Sequence, residues 1–331
     1  MNPSTARPGT QPAAARPPVT ATVASSRLPA TTRRRRGRGA TRAPLSLWLF
    51  LLPAASLYVA FFVIPTLQAF QYSVTDWDGL SPDFAYVGLS NFTNLVTNDS
   101  VFGTAVVNNL EFMLTVVVLQ TLLSLLLALA LQKNTRTSVV LRAVFFFPTI
   151  LSSVSVAFIF SFVYDPTFGL ANTFLDTVGL GSLAQPWLGD QRLAIYYIGL
   201  IQVWFHAGQM MVIYIAGLQS IPVELYESAD VDGVGRWQRF RYITWPMSAT
   251  ATAIVVAYTT IQSFKAFDLI FALTGGGPNN ATEILSTLIY NTAFQNFEFG
   301  YAAAQSVIFI GVIGLITWAQ RRAIARFQGE V

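Results

Sequence analysis

The sequence predicts an all-α integral membrane protein with six transmembrane helices. Of its 331 residues, 53% are hydrophobic and only 11% are charged, whereas a typical soluble domain has about 25% charged residues. The mean hydropathy is +0.51, so the apolar excess must face lipid rather than one globular core. Six stretches lack Asp, Glu, Lys and Arg and are long enough to cross a bilayer, which takes about 20 apolar residues in a helix.

The six uncharged stretches give the predicted spans in chain order: residues 43–75, 112–132, 143–164, 193–223, 242–264 and 299–320. Because lipid offers the backbone no hydrogen-bond partners, each stretch is predicted to be helical, and the polar ends of the longer stretches are assigned to loops. Pro53, Pro65 and Pro148 fall within or beside spans. Proline is tolerated there when neighbouring helices cover the carbonyl groups that it leaves free.

The distribution of basic residues predicts the orientation. Eighteen of the 20 Lys and Arg residues lie before span one, between spans two and three, between spans four and five, or after span six. The opposite loops contain Arg192, and Lys265 lies at the end of span five. The positive-inside rule therefore predicts that both termini are cytoplasmic. Arg outnumbers Lys by 18 to two, which is typical of a GC-rich bacterium, so we expect a multi-pass protein of a bacterial plasma membrane.

Composition also divides the chain into segments. The first 42 residues are rich in Ala, Pro, Thr and Arg and lack acidic residues, so they are predicted to be a disordered cytoplasmic tail. Their prolines disfavour the amphipathic helix of a transit peptide, and the uncharged stretch that follows is too long for a signal peptide. The remaining predicted segments are the first span with its external loop (43–101), a transmembrane core (102–320) and a cytoplasmic C-terminal tail (321–331).

Several kinds of chemistry are excluded by residue counts. The chain has no cysteine and one histidine, His206, so it has neither thiolate nor multi-histidine metal sites. Its two lysines, Lys133 and Lys265, do not follow glycine, so the chain has no phosphate-binding P-loop. If ATP drives this protein, another subunit must bind it.

The cytoplasmic segment between spans four and five, residues 221–246, is predicted to form two short helices. Pro222 suits a helix start, and Asp232 followed by Gly233 supplies a turn in which the backbone adopts a positive φ. Three aromatic residues on this projection are predicted to be exposed, namely Tyr226, Trp237 and Phe240. Exposed aromatic residues typically dock against another protein, although a simple juxtamembrane elbow remains an alternative.

The same segment resembles a known motif. Glu227-Ser-Ala-x-x-Asp232-Gly233 followed by Phe240-x-x-Ile243-x-x-Pro246 resembles the EAA loop of binding-protein-dependent ABC importer permeases, with Ser228 in place of the usual alanine. Three further stretches resemble the carbohydrate branch of that family, of the maltose and glycerol-phosphate type and its first-permease subgroup: Asp165-Pro-Thr-Phe-Gly-Leu-Ala-Asn172, Ala216-Gly-Leu-Gln-Ser-Ile-Pro222, and Leu273-Thr-Gly-Gly-Gly-Pro278 with Thr282-Glu283.

This resemblance implies the transmembrane domain of a type I ABC importer, which carries a sugar or oligosaccharide inward by alternating access and is not an enzyme. It implies that the EAA loop couples to an ATPase through Glu227, Ala229, Asp232, Gly233 and Phe240. It implies a second homologous permease, two ATP-binding cassette subunits, an extracellular solute-binding protein and membrane lipid as partners, and no nucleic acid. ATP and magnesium would be bound by the ATPase subunits, and this chain would hold no cofactor.

Polar and aromatic residues within the predicted spans are candidates for the substrate pathway, because amides and aromatic faces suit sugar recognition. They are Gln202, Trp204, His206 and Gln209 on span four, and Tyr258 and Gln262 on span five. A lone histidine can instead be a hydrogen-bonded packing residue. Lys265 and Asp268 are expected to form an i, i+3 ion pair near the outer interface.

Two other functional classes remain open at this level. A self-sufficient secondary transporter or channel needs intramembrane ionisable groups, and only His206 lies deep. An integral membrane enzyme needs a metal cluster, a nucleophile or paired deep carboxylates, and none is evident in the sequence. The residues do not identify which sugar is carried.

Overall fold

The computed structural model describes residues 45–329, and the side chains of residues 49–324. The predicted basic tail, residues 1–42, lies outside the described residues. Within them, regular structure is helical apart from one isolated bridge between Thr75 and Tyr86. The helices are α1 (Leu45–Tyr58), α2 (Ile64–Tyr72), α3 (Ser90–Thr97), α4 (Ser100–Leu131), α5 (Arg136–Phe146), α6 (Ser153–Val163), α7 (Leu170–Thr177), α8 (Ala194–Gln219), α9 (Val223–Val231), α10 (Arg236–Arg239), α11 (Trp245–Met247), α12 (Ala249–Phe264), α13 (Phe267–Thr274), α14 (Leu285–Tyr290) and α15 (Phe299–Gly329).

Among residues 45–329, four helices are long and apolar enough to cross a membrane without interruption: Leu49–Tyr72, Ser100–Leu131, Ala194–Gln219 and Phe299–Ile324. Two pairs of helices bring the number of candidate spans to six if each pair is one span; they are bent at a short break, by 100° between Arg136–Ile150 and Ser153–Val163 and by 44° between Ala249–Phe264 and Phe267–Thr274. The predicted all-α membrane architecture is confirmed. The first break falls inside the predicted span 143–164, whereas the second follows the predicted end of span five at residue 264.

Prolines account for the irregular turns in otherwise regular spans. Each of Pro65 and Pro246 follows a π-helical turn, Val59–Val63 and Phe240–Thr244 respectively. In both, the residue before the proline donates its N–H to the carbonyl group five positions earlier, Ile64 to Val59 and Trp245 to Phe240. A proline ring clashes with the carbonyl group four positions back, and the wider turn accommodates it.

The break in the third span has both a local and a tertiary component. A 3₁₀ turn, Phe147–Ile150, contains Pro148, and Leu151 then adopts an extended conformation. Gly208 of α8 packs against the backbone beside this turn, because a Cβ at Gly208 would lie 1.9 Å from the carbonyl oxygen of Phe145. Only glycine permits that close approach.

Buried residues form three apolar clusters around α4 and α8. One joins α4 and α8 to α6 and α13, a second joins α4 and α8 to α12, and a third lies where α3, α4, α14 and α15 meet. Polar contacts cross the same interfaces: Ser124 Oγ donates to the Ala207 carbonyl oxygen at 2.9 Å. Asn108 Nδ2 donates to the carbonyl oxygens of Asn280 and Glu283, both at 2.9 Å. These clusters fix the relative positions of the helices that line the candidate site.

Candidate functional site

A cavity of about 450 Å³, lined by polar and apolar residues, lies between the third, fourth and fifth spans. Four of the six predicted pathway residues line it: Gln202 and His206 from α8, and Tyr258 and Gln262 from α12. Its other lining residues are Ser153, Ile261, Lys265, Ala266, Asp268 and Leu269. Both breaks therefore border the cavity, Ser153 at the start of α6 and Lys265 and Ala266 between α12 and α13.

The amides in this cavity differ in their hydrogen bonding. Gln202 is 3% exposed, and within the described residues its side chain makes no hydrogen bond. Gln262 Oε1 accepts a hydrogen bond of 3.5 Å from Nε2 of Gln120. The same nitrogen donates to Thr259 Oγ1 at 3.3 Å. Gln120 is a buried residue of α4 that sequence reasoning missed. The sequence feature that could have identified Gln120 is its position as an amide in the middle of an apolar stretch.

The two other predicted pathway residues lie apart from the cavity lining. Gln209 Nε2 donates to the hydroxyl group of Tyr258 at 3.3 Å, so it orients a lining residue. Trp204 is 44% exposed and packs edge-to-face on Phe160 at 5.2 Å between ring centroids. The structure thus separates Trp204 from the other five candidates.

Lys265 and Asp268 both line the cavity and are exposed. Within residues 49–324 the ion pair is Arg239 with Asp230, so the expected pair between Lys265 and Asp268 is wrong. The reason is the break after Phe264. Because the helix ends there and restarts at Phe267, the two residues do not share one regular helical face.

The segment predicted to project into the cytoplasm, residues 221–246, has the predicted helix–turn–helix form. α9 begins after Pro222, and Gly233 adopts a φ of 69°, in the left-handed region that favours glycine. Across this turn, Arg239 of α10 forms an ion pair with Asp230 of α9. Ala229 is buried beneath the projection, whereas Glu227 and Asp232 are exposed. Two acidic side chains are therefore presented on the outside of a braced turn.

The exposure of the aromatic residues on this projection differs from the prediction. Trp237 is 72% exposed, and its ring centroid lies 5.6 Å from that of Phe240. Phe240 and Tyr226 are half-buried. The Tyr226 hydroxyl group hydrogen-bonds Thr244 Oγ1 at 3.1 Å, which ties α9 to the entrance of span five. Tyr226 is thus part of the packing that holds the projection, whereas Trp237 remains exposed, as does Tyr242.

The glycine-rich segment between α13 and α14 is packed around a buried carboxyl group. Glu283 is 3% exposed, and Asn291 Nδ2 lies 3.5 Å from its Oε1. Gly276 has a φ of 94°, and a Cβ there would lie 1.9 Å from Glu283 Oε2. Burial raises the pKa of Glu283 above its ordinary value of 4.5. The segment is a closed pocket for one side chain rather than an open turn.

Multiple candidate membrane spans, a cavity between them and a braced helix–turn–helix projection together indicate a membrane transport component. Residues 120–328 match the family described as binding-protein-dependent transport system inner membrane component. A probable ABC transporter permease protein of Pyrococcus horikoshii is 37% identical over 262 residues, covering 79% of this chain and 89% of its own length. The multiple sugar-binding transport system permease protein MsmF of Streptococcus mutans is 34% identical, covering 85% of this chain and 96% of its own.

The fold is similar to that of a chain in the crystal structure of a bacterial ABC transporter involved in import of the acidic polysaccharide alginate. That chain has a TM-score of 0.74 and 23% identity, and the match covers 85% of this chain and 96% of that one. The chain described here belongs to the family of binding-protein-dependent transport system inner membrane components. It is a permease subunit of an ABC transporter.

Proposed function

We propose that this permease subunit moves a neutral sugar or oligosaccharide inward through the cavity between spans three, four and five. The observation that carries this proposal is the cavity lining, in which Gln202, Gln262, His206 and Tyr258 present uncharged donors and acceptors, and the one cation and one anion, Lys265 and Asp268, offset each other in charge. Such groups suit hydroxyl-rich ligands. MsmF, a relative named for multiple sugar binding, supports the same substrate class.

The cytoplasmic projection is the proposed coupling element. Separate ATPase subunits bind ATP and magnesium and contact α9 and the turn at Gly233, with Glu227, Asp232 and Phe240 at or near the interface. The projection joins spans four and five at its two ends, and both spans line the cavity. A displacement of the projection therefore changes the cavity geometry directly, which alternating access requires.

The remaining partners follow from the same proposal. A second homologous permease completes the transmembrane pathway, and an extracellular solute-binding protein delivers the substrate. The termini lie in the cytoplasm, because basic residues are concentrated on that side.

The test begins with isolation of the complex from native membranes through a tag on this chain, followed by mass spectrometry of its subunits. The complex is then reconstituted into vesicles with its solute-binding protein, and ATP-dependent accumulation of radiolabelled disaccharides is measured. A neutral disaccharide such as maltose is the first probe, and an alginate oligosaccharide is the acidic comparison. We expect ATP-dependent uptake of at least one neutral sugar.

Two results would contradict the proposal. Uptake driven by a proton or sodium gradient without ATP would favour a secondary transporter. ATP-dependent uptake of acidic oligosaccharides alone would reject the neutral substrate class while retaining the permease assignment.

A further inference from the structure

A groove of about 560 Å³ lies along the sixth span, on α15. Its lining residues are Gly314, Thr317, Trp318, Arg321 and Arg322. Their spacing of three and four residues places them on one face of the helix. Trp318 is 58% exposed, and both arginines are exposed. Within the described residues the lining comes from this one helix, so the groove opens away from the rest of the chain.

The position of the arginines along the span places them at a membrane surface. Arg321 lies about six helical turns after Phe299, the first residue of α15, and six turns extend about 32 Å. The hydrocarbon core is about 30 Å thick, so these two residues reach opposite interfaces. Gly314 precedes Arg321 by about two turns, or roughly 10 Å, and therefore lies at the depth of the lipid chains.

The two guanidinium groups lack an anionic partner in the part of the chain that the structure describes. The ion pair there is Arg239 with Asp230, and neither Arg321 nor Arg322 donates a side-chain hydrogen bond. Arg322 Cζ lies 5.6 Å from the centroid of the Trp318 ring, a contact that orients the arginine. Adjacent guanidinium groups suit a phosphate group, because each can donate two parallel hydrogen bonds to it.

An open apolar recess lies beneath the arginines. Gly314 contributes no side chain, and a Cβ there would meet no atom within 4 Å. Near it, Ile310 is 51% exposed and Leu315 is 65% exposed. Along the helix, positive charge at the interface is thus followed by an apolar recess at greater depth. A phospholipid has the same order, with its phosphate group at the interface and its acyl chains below.

The charge of this face favours a lipid over a second permease as its occupant. By the positive-inside rule, a homologous permease also concentrates basic residues at this membrane surface. Two such surfaces in contact would repel each other. Anionic lipid headgroups are instead attracted to arginine residues next to a span.

We propose that this groove binds one anionic phospholipid. Its phosphate group contacts Arg321 and Arg322, the Trp318 ring lies at the level of its glycerol group, and an acyl chain lies over Gly314. The proposal concerns the lipid side of the subunit, and it does not depend on which sugar is carried or on the route through the cavity.

The first test removes the charges. The complete complex, isolated from native membranes through a tag on this chain, is transferred to a neutral detergent and titrated with phosphatidylglycerol, and native mass spectrometry counts the bound lipid. In the double variant with Arg321→Gln and Arg322→Gln, affinity should fall about fivefold for each arginine. Phosphatidylcholine, which has no net charge, should bind more weakly than phosphatidylglycerol to the wild type.

A matched control removes two other cations. Lys133 and Arg136 are exposed and are predicted to lie on the same side of the membrane as the groove. The double variant with Lys133→Gln and Arg136→Gln has the same change in net charge, and it should bind phosphatidylglycerol with wild-type affinity.

The second test fills the recess and keeps both charges. Gly314→Leu should fold, because leucine favours a helix more than glycine does and the new Cβ meets no atom within 4 Å. It should bind phosphatidylglycerol severalfold more weakly than the wild type. Inorganic phosphate, the soluble probe, should not displace the lipid from the wild type, because it has no acyl chain.

Four results would overturn the proposal. The first is wild-type affinity in both the arginine variant and Gly314→Leu, and the second is equal affinity of the wild type for the two lipids. An equal loss in the arginine variant and in the Lys133 and Arg136 control would indicate a general effect of surface charge. Displacement by inorganic phosphate would assign the arginines to a soluble anion. If the arginine variant does not assemble, the affinity of Gly314→Leu decides.

Discussion

His206 and Gln262 lie on different spans and line one cavity, and the hydrogen bond from Gln120 holds the Gln262 amide in place. A polar side chain in a membrane span is costly unless it has a partner or a function. Gln120 is fully buried and lies outside the cavity lining. It therefore positions Gln262 without contacting the cavity itself.

Replacement of His206 or Gln262 by leucine is therefore expected to impair sugar uptake. Each change removes at least one hydrogen bond to substrate, which corresponds to an increase in KM of about two- to tenfold. The measurement is uptake in reconstituted vesicles, with ATPase retention on the purified permease as the assembly check.

Trp204→Leu is the matched control for this prediction, because Trp204 is on the same helix as His206 but packs on Phe160 outside the cavity. It should transport like the wild type. Wild-type KM values in both leucine variants would contradict the proposal that substrate passes through this cavity.

Glu283 provides a pH-dependent test at the level of one residue. Burial raises its pKa in the folded protein above the ordinary value of 4.5, so the folded state binds the proton more tightly than the unfolded state. Stability from this group is therefore present below the ordinary pKa and is lost as the pH rises through the folded-state pKa. The thermal midpoint in detergent should fall over that window, and Glu283→Gln should flatten the decrease. Equal pH slopes for the two proteins would contradict this account.

At the level of elements, the projection at residues 221–246 contains two short helices joined by a turn with one strained position. Gly233 has a φ of 69°, and a Cβ there would meet no atom within 4 Å. A substitution at Gly233 is thus opposed by backbone conformation and not by a clash. The ion pair between Arg239 and Asp230 and the hydrogen bond from Tyr226 to Thr244 brace the two sides of the turn.

Gly233→Val should reorient α10 against α9 and reduce both ATPase retention and coupled uptake. The backbone strain is about 1 kcal/mol or more, enough to shift the turn while the spans remain inserted by their own packing. Glu227→Lys should have a similar effect on coupling, because it reverses the charge of an exposed side chain at the proposed interface.

Gly179 supplies a matched control. Its φ is 80°, and a Cβ there would also meet nothing within 4 Å, so Gly179→Val imposes similar strain in a loop far along the chain from the projection. That variant should keep its ATPase and its uptake. Normal coupled uptake by a double variant with Gly233→Val and Glu227→Lys would contradict the coupling role. It would favour the alternative that the segment is a simple juxtamembrane elbow.

At the level of the whole molecule, orientation in the membrane is the property on which the proposed mechanism depends. The chain has no cysteine, so single cysteines can report it. Thr137, at the start of α5, and Ser182, in the turn after α7, are exposed and lie in segments predicted to face opposite sides. A membrane-impermeant thiol reagent added to intact cells should label Ser182→Cys and spare Thr137→Cys until the membrane is opened. The reverse pattern would invert the topology.

The sequence by itself determined the class of protein, the places of the candidate spans and the helix–turn–helix form of residues 221–246. These depend on local properties: the transfer free energy of an uncharged stretch, and the conformational preference of Gly233. The sequence also named six pathway candidates, and the structure places five of them in or beside the cavity. Polar residues within an apolar stretch can be recognised from the sequence because they are costly in a membrane span unless they have a partner or a function.

Only the tertiary structure decided where the spans break and which polar residues meet. The third span turns where Gly208 of α8 admits the backbone of Phe145, a contact between residues far apart in the chain. Residues at the breaks in both bent spans line the cavity, and the break after Phe264 separates Lys265 from Asp268. Hydropathy sums over neighbours in sequence, whereas these features depend on close packing between different helices.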